Sequence, residues 1–271
     1  MYFSSRSKRA ASGLRGRRAY VVGDVHGRLD LLDELIATVE ADFAERPIGK
    51  AHLIFVGDLI DRGPSSAQVI ERLRTYRHPA VETLFLLGNH EEVLLRILDG
   101  EGGLIAKWRR FGGKECMQSY GADPVAFDRM DEDQALALVR ELMPAAHVEF
   151  LRGFADTCRF GDYLIVHAGI RPGVEFERQS QSDLRWIREP FLGHRGDHGF
   201  VVVHGHTIVP KVEERDNRIA IDTGAYRSGR LTALVIEGPE RRYLAAGSPS
   251  AREHSSISDI SPSIDSIRSG D

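Results

Sequence analysis

Five short apolar segments, each followed almost at once by a residue that can bind a metal ion, constrain the fold of this chain more than any other feature. Runs of this length are typical of buried strands. The residues that follow them, directly or after a glycine, are Asp24, Asp58, Asn89, His167 and His206. Because ligands of open α/β sheets gather beyond the carboxyl ends of the strands, we expect these side chains to share one site.

The segments between the first few of these strands show the apolar spacing that is typical of helices. One helix is indicated by apolar residues at i, i+3, i+4 spacing, namely Leu32, Leu35, Ile36, Val39 and Phe43. Ser65 and Gln68 predict a capping box at the start of another helix, and further helices are predicted over 90–98 and 131–142. The alternation of strand and helix predicts an α/β layered fold. The later strands are joined by shorter links, which indicates a second sheet packed on the first.

The two ends of the chain differ from its middle. Residues 1–17 are rich in Arg and Lys and contain no acid, which predicts a basic flexible arm, with a transit peptide as the alternative. Residues 247–271 include nine serines and few residues that can pack, which predicts a Ser-rich disordered tail. The expected folded domain therefore spans 18–246.

Composition excludes some partners and suggests a compartment. Apolar residues make up 42% of the chain, which allows a sizeable core, and the net charge of −4 gives no reason to expect nucleic acid as a partner. No apolar run approaches the roughly 20 residues that cross a bilayer, so no membrane is expected. The start of the chain lacks the apolar region of a secretory signal. We expect a cytoplasmic protein, and its oligomeric state is left open.

The residues at the strand ends form a plausible ligand set for two ions. Asp24 and His26 stand at i and i+2, so that both side chains can reach one ion from a strand end. Asp58 can bridge two ions, and Asn89, His167 and His206 complete the shell of the second. Such nitrogen and oxygen ligands suit Mn, Fe, Zn or Co. We expect two divalent ions, taken as Mn²⁺ with Fe or Zn as alternatives, that hold a bridging water as hydroxide.

Further residues beside these ligands predict acid catalysis and phosphate binding. We expect His90 to act as the general acid and Asp61 to orient it. Arg62 offers a planar fork for phosphate oxygens, although Asp61 and Arg62 can also be read as a surface ion pair. A second phosphate-binding arginine is expected at Arg188, with Arg185 as the alternative.

Five motifs together resemble those of the calcineurin-like metallophosphoesterases. They are GDVHG at 23–27, GDLIDRG at 57–63, GNHE at 88–91, HAG at 167–169 and GHT at 205–207. The Asp-Arg-Gly and Asn-His-Glu forms are similar to the branch that holds serine/threonine protein phosphatases and symmetrical diadenosine-tetraphosphate hydrolases. The resemblance implies a two-sheet β-sandwich flanked by helices, within the α/β class, and the site roles given above.

Departures from the eukaryotic phosphatases favour a bacterial type. Leu87 stands where an arginine often precedes Gly-Asn-His, and no Ser-Ala-Pro-Asn-Tyr loop is found. The resemblance implies hydrolysis of phosphomonoesters on phosphorylated proteins or small molecules, as in the serine/threonine protein phosphatases. The alternative is a symmetrical bis(5'-nucleosyl)-tetraphosphatase. A scaffold module without activity is disfavoured, because such a module would be expected to lose ligands or the acid.

Three features outside the ligand set allow two interpretations each. An insert from Trp108 to Tyr120 either lines a substrate groove or forms a small satellite core, and the core is favoured. Glu91 caps the helix that follows it or takes part in the chemistry. His204, inside a strand, is more readily a core histidine than a ligand.

Overall fold

The computed structural model describes residues 10–247 of the 271-residue chain. Within that range the strands are β1 (Arg17–Val22), β2 (Lys50–Phe55), β3 (Val81–Phe85), β4 (Thr157–Phe160), β5 (Tyr163–Val166), β6 (Val201–His204), β7 (Glu213–Glu214), β8 (Arg218–Ala220), β9 (Leu231–Glu237) and β10 (Glu240–Ala246). The helices are α1 (Leu29–Glu45), α2 (Ser66–Thr75), α3 (Asn89–Leu98), α4 (Ile105–Trp108), α5 (Lys114–Ser119), α6 (Pro124–Arg129), α7 (Glu132–Leu142), α8 (Ala145–Arg152), α9 (Gln181–Trp186) and α10 (Ala225–Ser228). A kinked turn, Arg109–Gly113, joins α4 to α5, and its residues Phe111 and Gly112 have non-helical dihedral angles.

The strands form two mixed sheets that pack face to face. One sheet has the order β10-β9-β1-β2-β3, in which β1, β2 and β3 are parallel. The other has the order β4-β5-β6-β8-β7, in which β5, β6 and β8 are parallel. Helices cover the outer faces of this pair, so the predicted two-sheet α/β sandwich flanked by helices is confirmed.

The central strands are buried on both faces, which explains their continuous apolar runs. On β1, Tyr20 and Val22 pack under the helices, whereas Ala19 and Val21 point into the core between the sheets. Residues of β5 and β6 alternate in the same way between the inter-sheet core and a smaller outer core that includes α9. Strands covered on both faces are apolar throughout rather than alternating. Burial of each Val, Leu or Ile side chain stabilises the fold by ~1.5–3 kcal/mol.

Three strands escaped prediction, and each lies at the edge of a sheet. These are β4, β7 and β10. Most of their residues are partly or fully exposed, and β7 is only two residues long. Edge strands commonly carry charged residues that discourage pairing with another chain, so they lack the apolar run that marks a central strand.

Helix α2 begins where it was predicted to begin, but it is not capped by Ser65 as the sequence predicted. Ser65 is the residue before the helix, but its side chain makes no capping hydrogen bond. The hydroxyl of the next residue, Ser66, instead accepts a hydrogen bond from the backbone N–H of Asp61, at 3.0 Å. The side chain of Ser66 therefore holds the preceding turn, and the predicted capping box is not formed.

Part of the predicted basic arm contacts the folded body. The Gly13 N–H donates to the carbonyl of Gly238 at 2.7 Å, and the Asp162 N–H donates to the carbonyl of Ser12 at 2.8 Å. Residues 10–16 therefore touch the hairpin turns of both sheets. Residues 1–9, and the predicted tail beyond residue 247, lie outside the described residues. Within residues 10–247, no helix combines the length and apolar character needed to span a membrane.

Candidate metal centre and phosphate site

The two sheets bring the predicted ligands together at the carboxyl ends of their parallel strands. Asp24 and Asp58 follow β1 and β2 of one sheet, whereas His167 and His206 follow β5 and β6 of the other. Asn89 begins α3, just after β3. The sheets are joined here by the His206 N–H, which donates to Asp24 Oδ2 at 3.0 Å, and His167 Nε2 lies 2.9 Å from Asn89 Oδ1.

Backbone strain is concentrated in these residues. Among residues 10–247, the non-glycine residues with positive φ are His26 (46°), Asp58 (51°), Asp61 (70°), Arg62 (68°) and His206 (62°). Such conformations are uncommon for side-chain-bearing residues and cost on the order of 1 kcal/mol or more each, so they persist where the surroundings enforce them. Every one of these residues was predicted from the sequence to serve the site.

A glycine provides the close approach between the two sheets. A Cβ on Gly205 would lie 2.0 Å from Asp24 Oδ1, so no larger residue fits between β6 and the end of β1. This approach allows the next residue, His206, to reach the carboxylate of Asp24.

Backbone carbonyls orient the imidazole rings of two histidines so that the unprotonated nitrogen of each ring faces another hydrogen-bond acceptor. The Nδ1–H of His26 donates to the carbonyl of Ile60 at 2.8 Å, and the Nδ1–H of His167 donates to that of Val56 at 2.9 Å. The Nε2 atom of each ring therefore carries a lone pair. The Nε2 of His26 lies 3.6 Å, and that of His167 lies 3.5 Å, from the same atom, Asp58 Oδ2. Lone pairs that converge in this way suit the binding of a cation between them.

The ring of a third histidine, His206, also indicates a bound cation. Its Nδ1 lies 2.9 Å from Asn89 Oδ1, which can accept its proton. Its Nε2 is buried and has no hydrogen-bond partner among the described residues. Burial lowers the pKa of His26, His167 and His206, so these rings are neutral and available as ligands near neutral pH.

Buried carboxylates add a strong requirement for positive charge. Burial, with repulsion from Asp222 and Asp58, raises the pKa of Asp24 well above its usual range. Burial also raises the pKa of Asp222 to about 6. Burial opposes ionisation of Asp58 too, but the surrounding imidazoles hold the pKa of that carboxyl below its ordinary value. Divalent cations would offset the cost of burying these charges together.

The side chains fit two ions that share one carboxylate. His26, Asp58 and His90 can converge on one position, and Asp58, His167 and His206 on a second. Asp58 belongs to both groups, which suits its predicted bridging role, whereas the first group contains His90, predicted as the acid, and not Asp24, predicted as a ligand. Imidazoles that donate their other N–H to a backbone carbonyl are the usual form of metal-binding histidine. The residues present therefore fit a binuclear centre.

The predicted acid, His90, is held by a carboxylate. Its Nδ1–H donates to Asp61 Oδ2 at 2.6 Å, and its Nε2 lies 3.9 Å from Asp58 Oδ2. Burial opposes protonation, but the carboxylates of Asp58 and Asp61 together raise the pKa of His90 above its ordinary value. The ring therefore presents Nε2 to the site and can carry a proton there.

Arg62 lies beside this acid. Its Nη2 is 3.3 Å from His90 Nε2, and its guanidinium lies over the ring of Tyr226, 4.7 Å from the centroid. The Tyr226 hydroxyl accepts a hydrogen bond from Arg62 Nη1, and the Tyr226 ring meets His26 edge-on at 5.2 Å. Tyr226 thus fixes the guanidinium next to the metal ligands.

The structure distinguishes the two candidate arginines after β5. Arg185 is bound to acidic side chains, with 2.6 Å to Asp156 and 3.4 Å to Glu92. The positive charge of Arg188 adds to burial in lowering the pKa of both His167 and His206. The charge of Arg188 therefore acts on these two histidines, and its role in binding phosphate stays a prediction.

Glu91 braces the turn that carries Asp58. Its carboxylate accepts hydrogen bonds from the backbone N–H groups of Asp58 and Leu59, both at 2.8 Å, and of Gly88 at 3.1 Å. The bond to Gly88 caps α3, as one interpretation of the sequence predicted. Burial and the neighbouring Asp58 raise the pKa of Glu91 to about 7. Its role is to hold the backbone on which Asp58 is displayed.

Replacing Glu91 by glutamine should destabilise the protein by about 2 kcal/mol, because the new amide group would face backbone N–H donors. We expect the melting temperature to fall by about 4–8 °C. Calorimetry of Glu91→Gln against Glu101→Gln, an exposed glutamate paired with Arg96, checks this. Equal melting temperatures for the two variants would show that Glu91 does not brace the turn.

Three residues near the site were missed or read differently from the sequence. Asp222 follows β8 just as the other acids follow their strands, so the strand-end pattern already marked it. Tyr226 stands in no motif and offered no signal. Trp108 was read as part of a satellite core; it is fully buried in the main helical core, and its Nε1–H donates to Asp61 at 2.9 Å. His204 is a buried core histidine, as favoured.

Comparison with known proteins places the site in a family context. Residues 17–232 match the family model described as calcineurin-like phosphoesterase. The chain is 28% identical to the asymmetrical bis(5'-nucleosyl)-tetraphosphatase PrpE of Anoxybacillus flavithermus, over 79% of this chain and 88% of that one. It is 29% identical to serine/threonine-protein phosphatase 1 of Salmonella typhimurium, over 82% of this chain and 93% of that one.

A solved structure supports the fold. The crystal structure of a candidate diadenosine tetraphosphatase aligns with a TM-score of 0.60 at 21% identity. The alignment covers 88% of this chain and 98% of that one.

Proposed function

This chain belongs to the calcineurin-like phosphoesterase family and is a phosphoester hydrolase, and from that premise we propose that it hydrolyses phosphomonoesters in the manner of the serine/threonine protein phosphatases. One observation supports this most. Neutral imidazole lone pairs from both sheets converge on Asp58 Oδ2, beside the imidazole of His90, held by Asp61, and the guanidinium of Arg62. Such an arrangement suits a reaction at phosphorus that needs metal ions, a proton donor and a phosphate-binding arginine in one site.

The ligand set would hold two divalent ions, with Asp58 between them. Asp24 and His26 would complete one side, and Asn89, His167 and His206 the other. When bound, the ions supply an activated water as nucleophile and positive charge that stabilises the phosphoryl group during displacement. Mn²⁺ is the proposed metal, with Fe or Zn as alternatives, since the donors are nitrogen and oxygen only.

The chain's own residues bind the phosphate and manage the proton. Arg62 and Arg188 would each offer paired N–H donors to the non-bridging phosphate oxygens. His90 would deliver the proton on Nε2 to the departing alkoxide, while Asp61 holds the opposite side of the ring. An alkoxide is a poor leaving group without that proton, so His90 matters most for esters of serine and threonine.

Hydrolysis of dinucleoside polyphosphates is the second candidate. It is favoured by the similarity to a tetraphosphatase over most of both chains. It is also favoured by Tyr226, a partly exposed aromatic ring beside Arg62 on which a base can stack. The sequence resemblance implied symmetrical cleavage for this alternative, and similar proteins are named both as asymmetrical and as symmetrical enzymes.

A substrate panel on the Mn-reconstituted protein tests the proposal. We would measure kcat/KM for a phosphoserine peptide, p-nitrophenyl phosphate and diadenosine tetraphosphate. The proposal predicts that the phosphopeptide is preferred over the dinucleotide. A large preference for the dinucleotide would reject it, and the products, two ADP or ATP with AMP, would then tell symmetrical from asymmetrical cleavage. No hydrolysis of any ester would reject both and favour a scaffold.

A further inference from the structure

Trp108 lies outside every motif that marks the site, yet its indole reaches the acid dyad. Its Nε1–H donates to Asp61 Oδ2 at 2.9 Å, the same oxygen that accepts from His90 at 2.6 Å. We propose that Trp108 is a positioning residue that fixes Asp61 and, through it, the proton donor His90. The proposal rests on the proposed function, because it assigns Trp108 a part in protonating the leaving group.

The contacts of Asp61 show why one donor matters. Both hydrogen bonds from side chains go to Oδ2, whereas Oδ1 is buried and has no hydrogen-bond partner among residues 10–247. The carboxyl group is fully buried, so water cannot replace a missing donor from the surface. Without Trp108, His90 and the weak thiol donor of Cys116 are the described side chains that would set the rotation of this carboxylate.

The backbone that follows Trp108 also contacts the turn that carries Asp61. Asp61 and Arg62 have φ values of 70° and 68°, two strained residues in a row. The Arg62 N–H donates to the carbonyl of Gly112 at 3.3 Å, within the kinked turn that directly follows Trp108. A Cβ on Gly112 would lie 2.2 Å from the Arg62 nitrogen, so glycine is needed for this contact. The segment from Trp108 to Gly112 thus contacts the turn at Asp61 and Arg62 twice, once through the indole and once through the backbone.

The indole itself is rigidly held. Trp108 is fully buried, and Phe127 meets its ring edge-on with 6.2 Å between the centroids. On the other side, a Cβ on Gly113 would lie 2.4 Å from the ring. The ring is thereby held against the buried carboxylate of Asp61. Helix α4 and the kinked turn that follows it therefore hold Asp61 in place and, through Asp61, the ring of His90.

A positioning role has a specific kinetic consequence. An alkyl leaving group, such as that of phosphoserine, needs a proton from His90, whereas 2,4-dinitrophenolate leaves without one. Loss of the indole donor should therefore slow hydrolysis of the alkyl ester and spare that of the aryl ester. A residue that only stabilises the core would affect both esters alike.

The experiment compares Trp108→Phe with Phe127→Leu in the Mn-reconstituted protein. Phe127 packs on the same ring but touches neither Asp61 nor His90 in the described contacts, so it controls for core damage. For Trp108→Phe we expect kcat on a phosphoserine peptide to fall by about tenfold or more, the usual effect of losing a hydrogen bond to a charged group. We expect kcat on 2,4-dinitrophenyl phosphate, and KM for both esters, to change little. Phe127→Leu should lower the melting temperature without distinguishing the esters.

Two further variants keep the test decisive. Should Trp108→Phe not fold, Gly113→Ala should displace the same ring and show the same ester dependence. In Asp61→Asn, which removes the carboxylate, adding Trp108→Phe should have no further effect on the ester ratio. Equal loss on both esters, or full additivity with Asp61→Asn, would overturn the positioning role. If the wild type hydrolyses neither ester, the proposed function itself fails.

Discussion

Replacing His90 by asparagine is expected to lower kcat for a phosphoserine peptide by about 10²–10⁴, the usual contribution of a general acid. The structure gives the reason, since His90 Nδ1–H donates to Asp61 at 2.6 Å, which leaves Nε2 to carry the proton for the leaving group. Asparagine cannot carry the proton that the leaving alkoxide needs. Steady-state kinetics with metal analysis of the same sample is the measurement, and metal content should match that of the wild type.

The metal analysis separates two roles for His90, which also lies within reach of one candidate ion with His26 and Asp58. If His90→Asn loses metal in proportion to its activity, His90 is a ligand rather than a proton donor. A matched control is His147→Asn. His147 is buried too, but it binds Tyr120 and Glu71 in the helical layer, so its replacement should leave kcat unchanged.

Replacing Asp58 by asparagine should have the largest effect on the metal centre. Asp58 Oδ2 lies 3.6 Å from His26 Nε2 and 3.5 Å from His167 Nε2, so it is the one side chain shared by both candidate ligand groups of the described residues. We expect the variant to bind less than one ion per chain at metal concentrations that fill the wild type. Activity should fall by about 10³ or more, because several kcal/mol of transition-state stabilisation would be lost.

Elemental analysis after desalting measures this effect. Asp33→Asn, which removes an exposed acid paired with Arg72, is the control and should keep wild-type metal and activity. An Asp58→Asn protein that still binds two ions and hydrolyses esters normally would show that Asp58 does not bridge them.

The central strands and most of the candidate site could be predicted because burial leaves a clear pattern. A strand covered on both faces must be apolar throughout, so the runs before Asp24, Asp58 and His167 were readable along the sequence. The edge strands β4, β7 and β10 are largely exposed and therefore carry no such pattern. Their positions depend on partners elsewhere in the chain.

The remaining site residues depend on contacts that sequence spacing does not reveal. Trp108 is 47 residues from Asp61, and Tyr226 is 164 residues from Arg62. Neither distance follows a periodicity of helix or strand. The choice between Arg185 and Arg188 likewise depended on Asp156 and Glu92, which occupy the first of them. Asp222 differs, because its place after β8 repeats the pattern that identified the other acids.

The most direct test of a binuclear phosphoesterase is a titration of Mn²⁺ into chelated wild-type protein. Bound metal and phosphate released from p-nitrophenyl phosphate would be measured on the same samples. We predict negligible hydrolysis without metal and a rise to full activity as the second ion per chain binds. Full activity in the metal-free protein, or no gain on filling both positions, would contradict a two-ion centre built on Asp58.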